Sequence, residues 1–440
     1  MILGKKKLIN YFIKYKKVGK KMFIGFVGMS HLSMTYLIAT AKKNYNVIAY
    51  DDNEKKISNL KNYNEYFNEK NFLNSLKKNK KKIFFTNNKK YLKKCKLIFI
   101  SPDIFTDRKN RSNYDVIKKY IKSLDKFISP KIPFIIQSQV YPGFCEKYLN
   151  GKRQKYYQVE TLIFGKALQR ALYPEQIIVG SDYKKIKNKI YKNYISKFNT
   201  NVRVIPIKDA ELTKIAINLF LATSLTTTNL LARYSETVNI DYNNIVPTLK
   251  FDKRIGKYSY TNPGLGISGG NIERDVVNFS NLLNEKKINN KFFKEIINFS
   301  SERKKWVIKI LNSIISKKNL KNISIFGISY KKDNSSIKNS ASIVLIKDLL
   351  KIKKIKLNIY DDIVDNYKNF KIHKKHTNLI RNSDVIIIMR DFKKKNFIEN
   401  FNLKKISKKK YIIDPFGILN HKIEILKSKG IEFNYYKLGR

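Results

Sequence analysis

Between Phe23 and Val179 the chain alternates short apolar runs with longer stretches of helical length. Phe23 to Val27 reads as a strand, Gly28 to Ser33 as a turn, the residues to about Asn44 as a helix, and Val47 to Asp51 as a second strand. Further β-type runs stand at Leu97–Ile100, Phe134–Ile136 and Ile177–Val179. Such alternation predicts a parallel, doubly wound sheet. Around Asp209 the pattern changes. From Ala210 to about Val238 there is neither proline nor glycine, which predicts one long helix, a natural spine and dimer surface. Helical patterning resumes on either side of a glycine-dense stretch, Thr261 to Asp275, and runs through Trp306 to about Lys317. A second α/β half opens at Asn322–Gly327, with strands near Leu357–Tyr360, Val385–Met389 and Tyr411–Asp414.

Composition adds bounds. At 440 residues and 42% hydrophobic, the chain has material for two or three packed domains. The formal net charge of +57 raises nucleic-acid binding as a class, because a basic face neutralises phosphates. Lysine, however, is interspersed with Asn, Ile, Tyr and Phe along almost every segment, all A/T-rich codons. That is drift in composition and not a selected patch, so no specific nucleic-acid partner is expected. Cys95 and Cys145 lie in no CxxC or Cys/His cluster, which indicates neither disulfides nor a metal site and suits a reducing cytoplasm. His373 and His376 sit in a lysine-rich segment without acidic or thiol ligands nearby. Residues 1–21 read as a basic N-terminal extension. No stretch approaches the ~20 apolar residues of a membrane span.

Three places carry chemistry. The turn after the first strand fits G-x-G-x-x-G at Gly28, Ser30 and Ser33, the cradle in which backbone amides approach a pyrophosphate. Serine, the smallest replacement with a Cβ, admits a close approach only under strain, and Ser30 offers a hydroxyl to a phosphate. Asp51, 23 positions after Gly28 and at a strand end, suits both hydroxyls of an adenosine ribose and favours NAD over NADP. The second place is Lys214 and Asn218, which share a helix face at i and i+4 and suit an alkoxide or a water. The third is the Thr261–Asp275 loop, whose glycines admit a ligand ahead of a helix start.

Several stretches together resemble the UDP-glucose/GDP-mannose dehydrogenase family of NAD-dependent nucleotide-sugar oxidoreductases, from Phe23 to nearly the C-terminus. Ile136 to Gly143 resembles the family's K-S-T-V-P-P-G. Glu160 to Ala167, with Tyr173-Pro174 and Ile177 to Gly180, resembles P-E-F-x-x-E-G-x-A and P-x-R-I-V-I-G. Ala210 to Lys214 with Asn218 matches A-E-x-x-K-x-x-x-N. Arg254 to Gly256 and the glycine-rich loop match R-I-G and N-x-G-x-G-x-G-G-S-C-x-P-K-D. Gly327 to Lys331, with Lys338 and Ser340, matches G-L-A-F-K and D-x-R-x-S.

The resemblance implies an α/β fold with two Rossmann-like parallel-sheet domains joined by a long central helix and a helical middle domain. The expected parts are an NAD-binding domain at 22–207, a central dimerisation domain carrying the active-site loop at 208–317, and a nucleotide-sugar-binding domain at 318–440. It implies Glu160, Lys214, Asn218, Asn271 and Asp275 at the catalytic centre. Gly28, Ser30, Ser33, Asp51 and Lys338 are implied against NAD, and Arg254, Tyr260 and Lys331 against a UDP- or GDP-sugar. The family oxidises the sugar's C6 alcohol twice and captures the aldehyde on a cysteine; that position is Asn271, which lacks a thiolate's nucleophilicity. Three further family positions differ: Gln139 for a threonine, Phe164 for the glutamate four residues beyond Glu160, and Phe416 for an arginine. The expectation is therefore a homodimeric NAD-dependent nucleotide-sugar dehydrogenase limited to a two-electron step. The alternative is a nucleotide-sugar and NAD-binding protein without turnover.

Overall fold

The computed structural model describes residues 22–440 except 65, 66, 68, 70, 108, 109, 150, 317, 319, 333, 334, 353, 354, 393–396, 398–400, 402–409, 432 and 433. The basic segment 1–21 lies outside the described residues. The chain divides into two compact units. The first runs to Asp107 and resumes over Ser112–Lys214; the second holds Ile215–Arg440 with the short excursion Arg108–Arg111.

The first unit is built on eight strands: β1 Phe23–Val27, β2 Asn46–Tyr50, β3 Ile83–Thr86, β4 Cys95–Ile100, β5 Phe134–Ile136, β6 Lys155–Val159, β7 Gln176–Ser181 and β8 Asn201–Ile205. Their order across the sheet is β8-β7-β6-β5-β4-β1-β2-β3. Alternation along the strands feeds two cores. Ile24, Phe26, Leu97 and Phe99 face one, and Val27, Ile98 and Ile100 the other. Both faces are covered, which is why these strands read as continuous apolar runs. Phe26 and Phe99 are fully buried and stacked 4.9 Å apart, each contributing about 2–3 kcal/mol of burial. Two strands depart from the all-parallel expectation: β7 pairs antiparallel with β6, and β8, parallel to β7, shares its reversed direction.

Helix α1, His31–Lys42, follows the first turn; Ser30 caps it by accepting the Ser33 N–H. Helix α2, Ile207–Thr237, is the long helix the sequence anticipates, and its first turns belong to the first unit while the remainder belongs to the second. Contrary to the sequence reading, α2 is long and apolar enough to span a bilayer, with an 18-residue window of mean hydropathy 1.4. Its buried polar groups nevertheless find protein partners. Glu211 accepts the Gly143 and Cys145 amides, and Asn229 accepts the Gly264 amide. Such satisfaction is what a helix packed against protein requires.

In the second unit, α3 Ile272–Glu285, α4 Lys291–Arg303 and α5 Trp306–Ile315 precede a sheet of β9 Asn322–Phe326, β10 Lys356–Tyr360, β11 Asn366–Tyr367, β12 Phe370–His373, β13 Val385–Ile388, β14 Tyr411–Ile413 and β15 Asn434–Tyr436. Its order is β11-β12-β10-β9-β13-β14-β15, parallel except for the β11–β12 hairpin. Both sheets make the whole an α/β fold.

Candidate active site

The turn after β1 needs glycine twice over. Gly28 has φ of +79°, and a Cβ there would lie 2.8 Å from the Pro102 backbone. Its N–H joins the Tyr50 carbonyl, and the next amide, Met29, donates 2.8 Å to Asp51 Oδ2. Asp51 is buried at the end of β2 and also accepts from Asn53 N and Tyr120 Oη. The carboxylate thus borders the turn, as a ribose acceptor must. Ser30 differs from expectation: its hydroxyl proton goes to the Ser101 carbonyl at 2.5 Å, so the donor suggested for a phosphate is spent inside the protein. Ser33 fits at the third glycine position, fully buried. Ser33 Oγ, Ser101 Oγ and both ends of the Gln137 carboxamide are buried without hydrogen-bond partners among the described residues. Orphaned polar atoms beside a glycine turn are what a polar ligand satisfies, and the residues fit a dinucleotide.

The second unit carries a similar turn that is plugged. Gly327 N joins the Tyr360 carbonyl, and Ile328 N donates 2.7 Å to Asp361 Oδ2, repeating the Gly28, Met29 and Asp51 arrangement. Here Arg390 fills the approach. Its Cβ lies 2.7 Å from where a Gly327 side chain would start, and its guanidinium bonds Ser329 Oγ and Asp362. The buried group without a partner at this turn is Nε of Arg390, on the plug itself, whereas the first turn leaves Ser33, Ser101 and Gln137 unpartnered among the described residues.

Lys214 is buried on α2 and its ammonium meets Glu160 Oε1 at 2.8 Å; Glu160 Oε2 accepts the Leu162 amide. One of three ammonium N–H groups is thereby used. Both cysteines also lie in this unit. They are free and buried, and burial pushes both thiols up, with the Glu211 charge adding to the effect at Cys145. Neither supplies a thiolate near neutral pH.

In the second unit the glycine-rich loop leads into α3. Gly266 has φ of +75°, and a Cβ there would meet the Ser300 carbonyl at 2.5 Å. Gly270 passes against the end of Lys338, whose ammonium is pushed down by burial and then by the Arg274 charge. Asn271 is the N-cap of α3, exposed and without a side-chain capping bond. One turn on, Asp275 is 1% exposed; it takes the Asn218 amide on Oδ2 and Arg274 Nε on Oδ1 at 3.1 Å. Asn218 and Asp275 are thus brought together. Of the substrate candidates, Arg254 is paired with Asp252 on the surface, the Tyr260 carbonyl accepts the Thr228 hydroxyl, and Lys331 is exposed beyond β9.

Two groupings escape a reading by spacing. Glu273, between Asn271 and Asp275, is buried and bonded to Lys304 and Asn339. Glu69 accepts the Gly165 and Ala167 amides and His31 Nε2. Burial pushes the Glu69 carboxyl up, but His31 and those amides outweigh it and hold the group below its usual range. The positions are far apart in sequence, and no local signal marks them.

Sequence profiles of the UDP-glucose/GDP-mannose dehydrogenase family match three successive stretches: the NAD binding domain over residues 22–196, the central domain over 208–301 and the UDP binding domain over 324–421. Among relatives, a UDP-glucose 6-dehydrogenase of Rickettsia bellii is 25% identical over 442 residues, covering 95% of this chain and 99% of that one. A UDP-N-acetyl-D-mannosamine dehydrogenase of Methanococcus vannielii is 24% identical, covering 91% and 92%. The solved UDP-D-ManNAc dehydrogenase of Pyrococcus horikoshii shares the fold, with a TM-score of 0.80 at 18% identity over 95% of this chain and 99% of that one.

Proposed function

This chain belongs to the UDP-glucose/GDP-mannose dehydrogenase family, with NAD as cofactor, and on that premise we propose that it oxidises an alcohol carbon of a UDP- or GDP-sugar by a single two-electron step. The observation that carries the limit is Asn271. A carboxamide stands exposed at the helix start, the position that the motif resemblance gives to the family's nucleophile, and the chain's only two thiols are sealed in apolar cores. A thiohemiacetal has no sulfur from which to form.

NAD, when bound, accepts a hydride from the alcohol carbon. Gly28 and Met29 would lie along its pyrophosphate, Asp51 at its ribose, and Ser33, Ser101 and Gln137 nearby; Lys338 is assigned to it as well. Lys214 holds the reacting oxygen as its proton departs, because an ammonium stabilises a developing alkoxide more than an alcohol. Glu160 fixes that ammonium in place. Asn218 gives one amide N–H to Asp275 and retains another for the same oxygen or a water. Asp275 orients the water that takes the proton. Asn271 donates to the aldehyde or its hydrate and leaves it free. Arg254, Tyr260 and Lys331 are assigned to the sugar nucleotide.

The functional segments are 22–207, 208–317 and 318–440, and the working form is a homodimer. Its surface is α2, where Phe220, Leu231 and Tyr234 share one helix face and are exposed. Trapping with hydroxylamine tests the chemistry: an oxime of the sugar nucleotide, at one NADH each, is expected. Binding of both ligands without NADH supports a binding protein instead, the reading favoured by Gln139, Phe164 and Phe416.

A further inference from the structure

The loop from Glu160 to Ala167 is held at both ends. At one end Glu160 grips Lys214. At the other, the Gly165 and Ala167 amides donate to the two oxygens of Glu69, at 2.8 and 3.2 Å. Glu69 comes from the excursion between β2 and β3, and its side chain is only 2% exposed. A carboxylate so buried needs a cationic or N–H partner, and His31 supplies one through Nε2 at 3.1 Å. His31 is the first residue of α1, directly after the Gly28–Ser30 turn. Its ring is clamped between Phe164, stacked at 4.6 Å, and Phe67, edge-on at 5.0 Å. Phe164 belongs to the same loop.

We propose that His31 and Glu69 are positioning residues that couple the cofactor turn to the 160–167 loop. Filling the turn fixes the start of α1. His31 then fixes Glu69 and the Phe164 ring, and through them the loop that presents Glu160 to Lys214. The carboxylate absent at position 164 is thus offset by one from outside the loop, bound to its backbone and not to a substrate. The coupling rests on NAD occupying the first turn, as the proposed function holds. The tie between Glu69 and the loop does not.

Hydrogen exchange of the Gly165 and Ala167 amides, in the full-length protein with and without NAD, tests it. In the wild type NAD slows both amides by about fivefold or more. In His31→Ala both amides exchange faster without ligand, and NAD binds but protects neither. His31→Gln, which keeps an N–H toward Glu69, restores the protection, and Glu69→Gln loosens the amides as His31→Ala does. Equal NAD-dependent protection in wild type and His31→Ala overturns the coupling, as does NAD binding that leaves wild-type loop amides untouched; the cofactor reading survives either result. If the wild type binds no NAD, the cofactor reading and the coupling both fall. Unchanged amide exchange in ligand-free His31→Ala and Glu69→Gln removes the tie itself.

Discussion

Replacing Asp275 with asparagine is the sharpest local perturbation of the site. The side chain keeps its shape, but an N–H group enters where two donors already converge, Asn218 Nδ2 on one oxygen and Arg274 Nε on the other. All three residues are at least nine-tenths buried, so no bulk water replaces the lost acceptor. A hydrogen bond to a charged group contributes about 1.5–3 kcal/mol, and stranding one member of a buried ion pair costs about 3–5 kcal/mol. Arg274 keeps other interactions, which places the expected loss near 3 kcal/mol. For domains of this size that is a fall in Tm of roughly 6–12 °C. Differential scanning fluorimetry reads the stability. Initial-rate kinetics should show kcat reduced by about 100-fold or more, as for loss of a group that handles a proton, with NAD affinity retained. A double-mutant cycle with Asn218→Ala should give a coupling energy of about 1 kcal/mol or more. A Tm within about 2 °C of wild type, additive effects and unchanged turnover would together refute the buried node.

Other substitutions probe separate parts of the account. Gly28→Ala combines a left-handed backbone with a Cβ pressed on Pro102, and it should weaken NAD binding at least ~10-fold by calorimetry. Asn271→Cys should raise the yield from one NADH per sugar to two and convert the aldehyde to the acid, if the remaining groups stand as assigned. Asp414 titrates differently: burial pushes it up to about 6, so ionising it opposes folding. Its penalty is absent below the unfolded value near 4, grows between about pH 4 and 6 and is complete above that. Asp414→Asn should therefore raise Tm at pH 8, by at most about 3 kcal/mol of stability, and should not do so at pH 3.5.

Much of the scaffold is written locally. The apolar runs at β1, β4 and β5, the glycine-to-aspartate spacing of the first turn, and the proline-free α2 are each set by residues near one another, and all emerge where the patterning puts them. Strand direction is another matter. Nothing within Gln176–Ser181 distinguishes parallel from antiparallel; the connection decides it. The only helix there, Ala167–Leu172, is six residues and rises about 9 Å, too short to carry the chain back along a strand of about 17 Å. The strand accordingly enters from the near end.

The site divides similarly. Lys214 and Asn218 share a face because helix geometry requires it, but their partners, Glu160 and Asp275, come from other elements. The two glycine turns look alike in sequence. Arg390, more than 60 positions beyond the second one, fills it with a guanidinium bonded to Ser329, while the first keeps Ser33, Ser101 and Gln137 unpartnered among the described residues. Ser30 reads as a phosphate donor until the Ser101 carbonyl is seen to take its proton. Each of these depends on which distant segment packs alongside, which spacing does not encode.

The stoichiometry of the reaction tests the central claim most directly. Purified protein with excess NAD and limiting UDP-glucose, UDP-N-acetylmannosamine or GDP-mannose should release one NADH per sugar consumed, with the aldehyde or its hydrate as product by mass spectrometry. Two NADH per sugar and a uronic acid, from a chain with Asn271 in place, would contradict it.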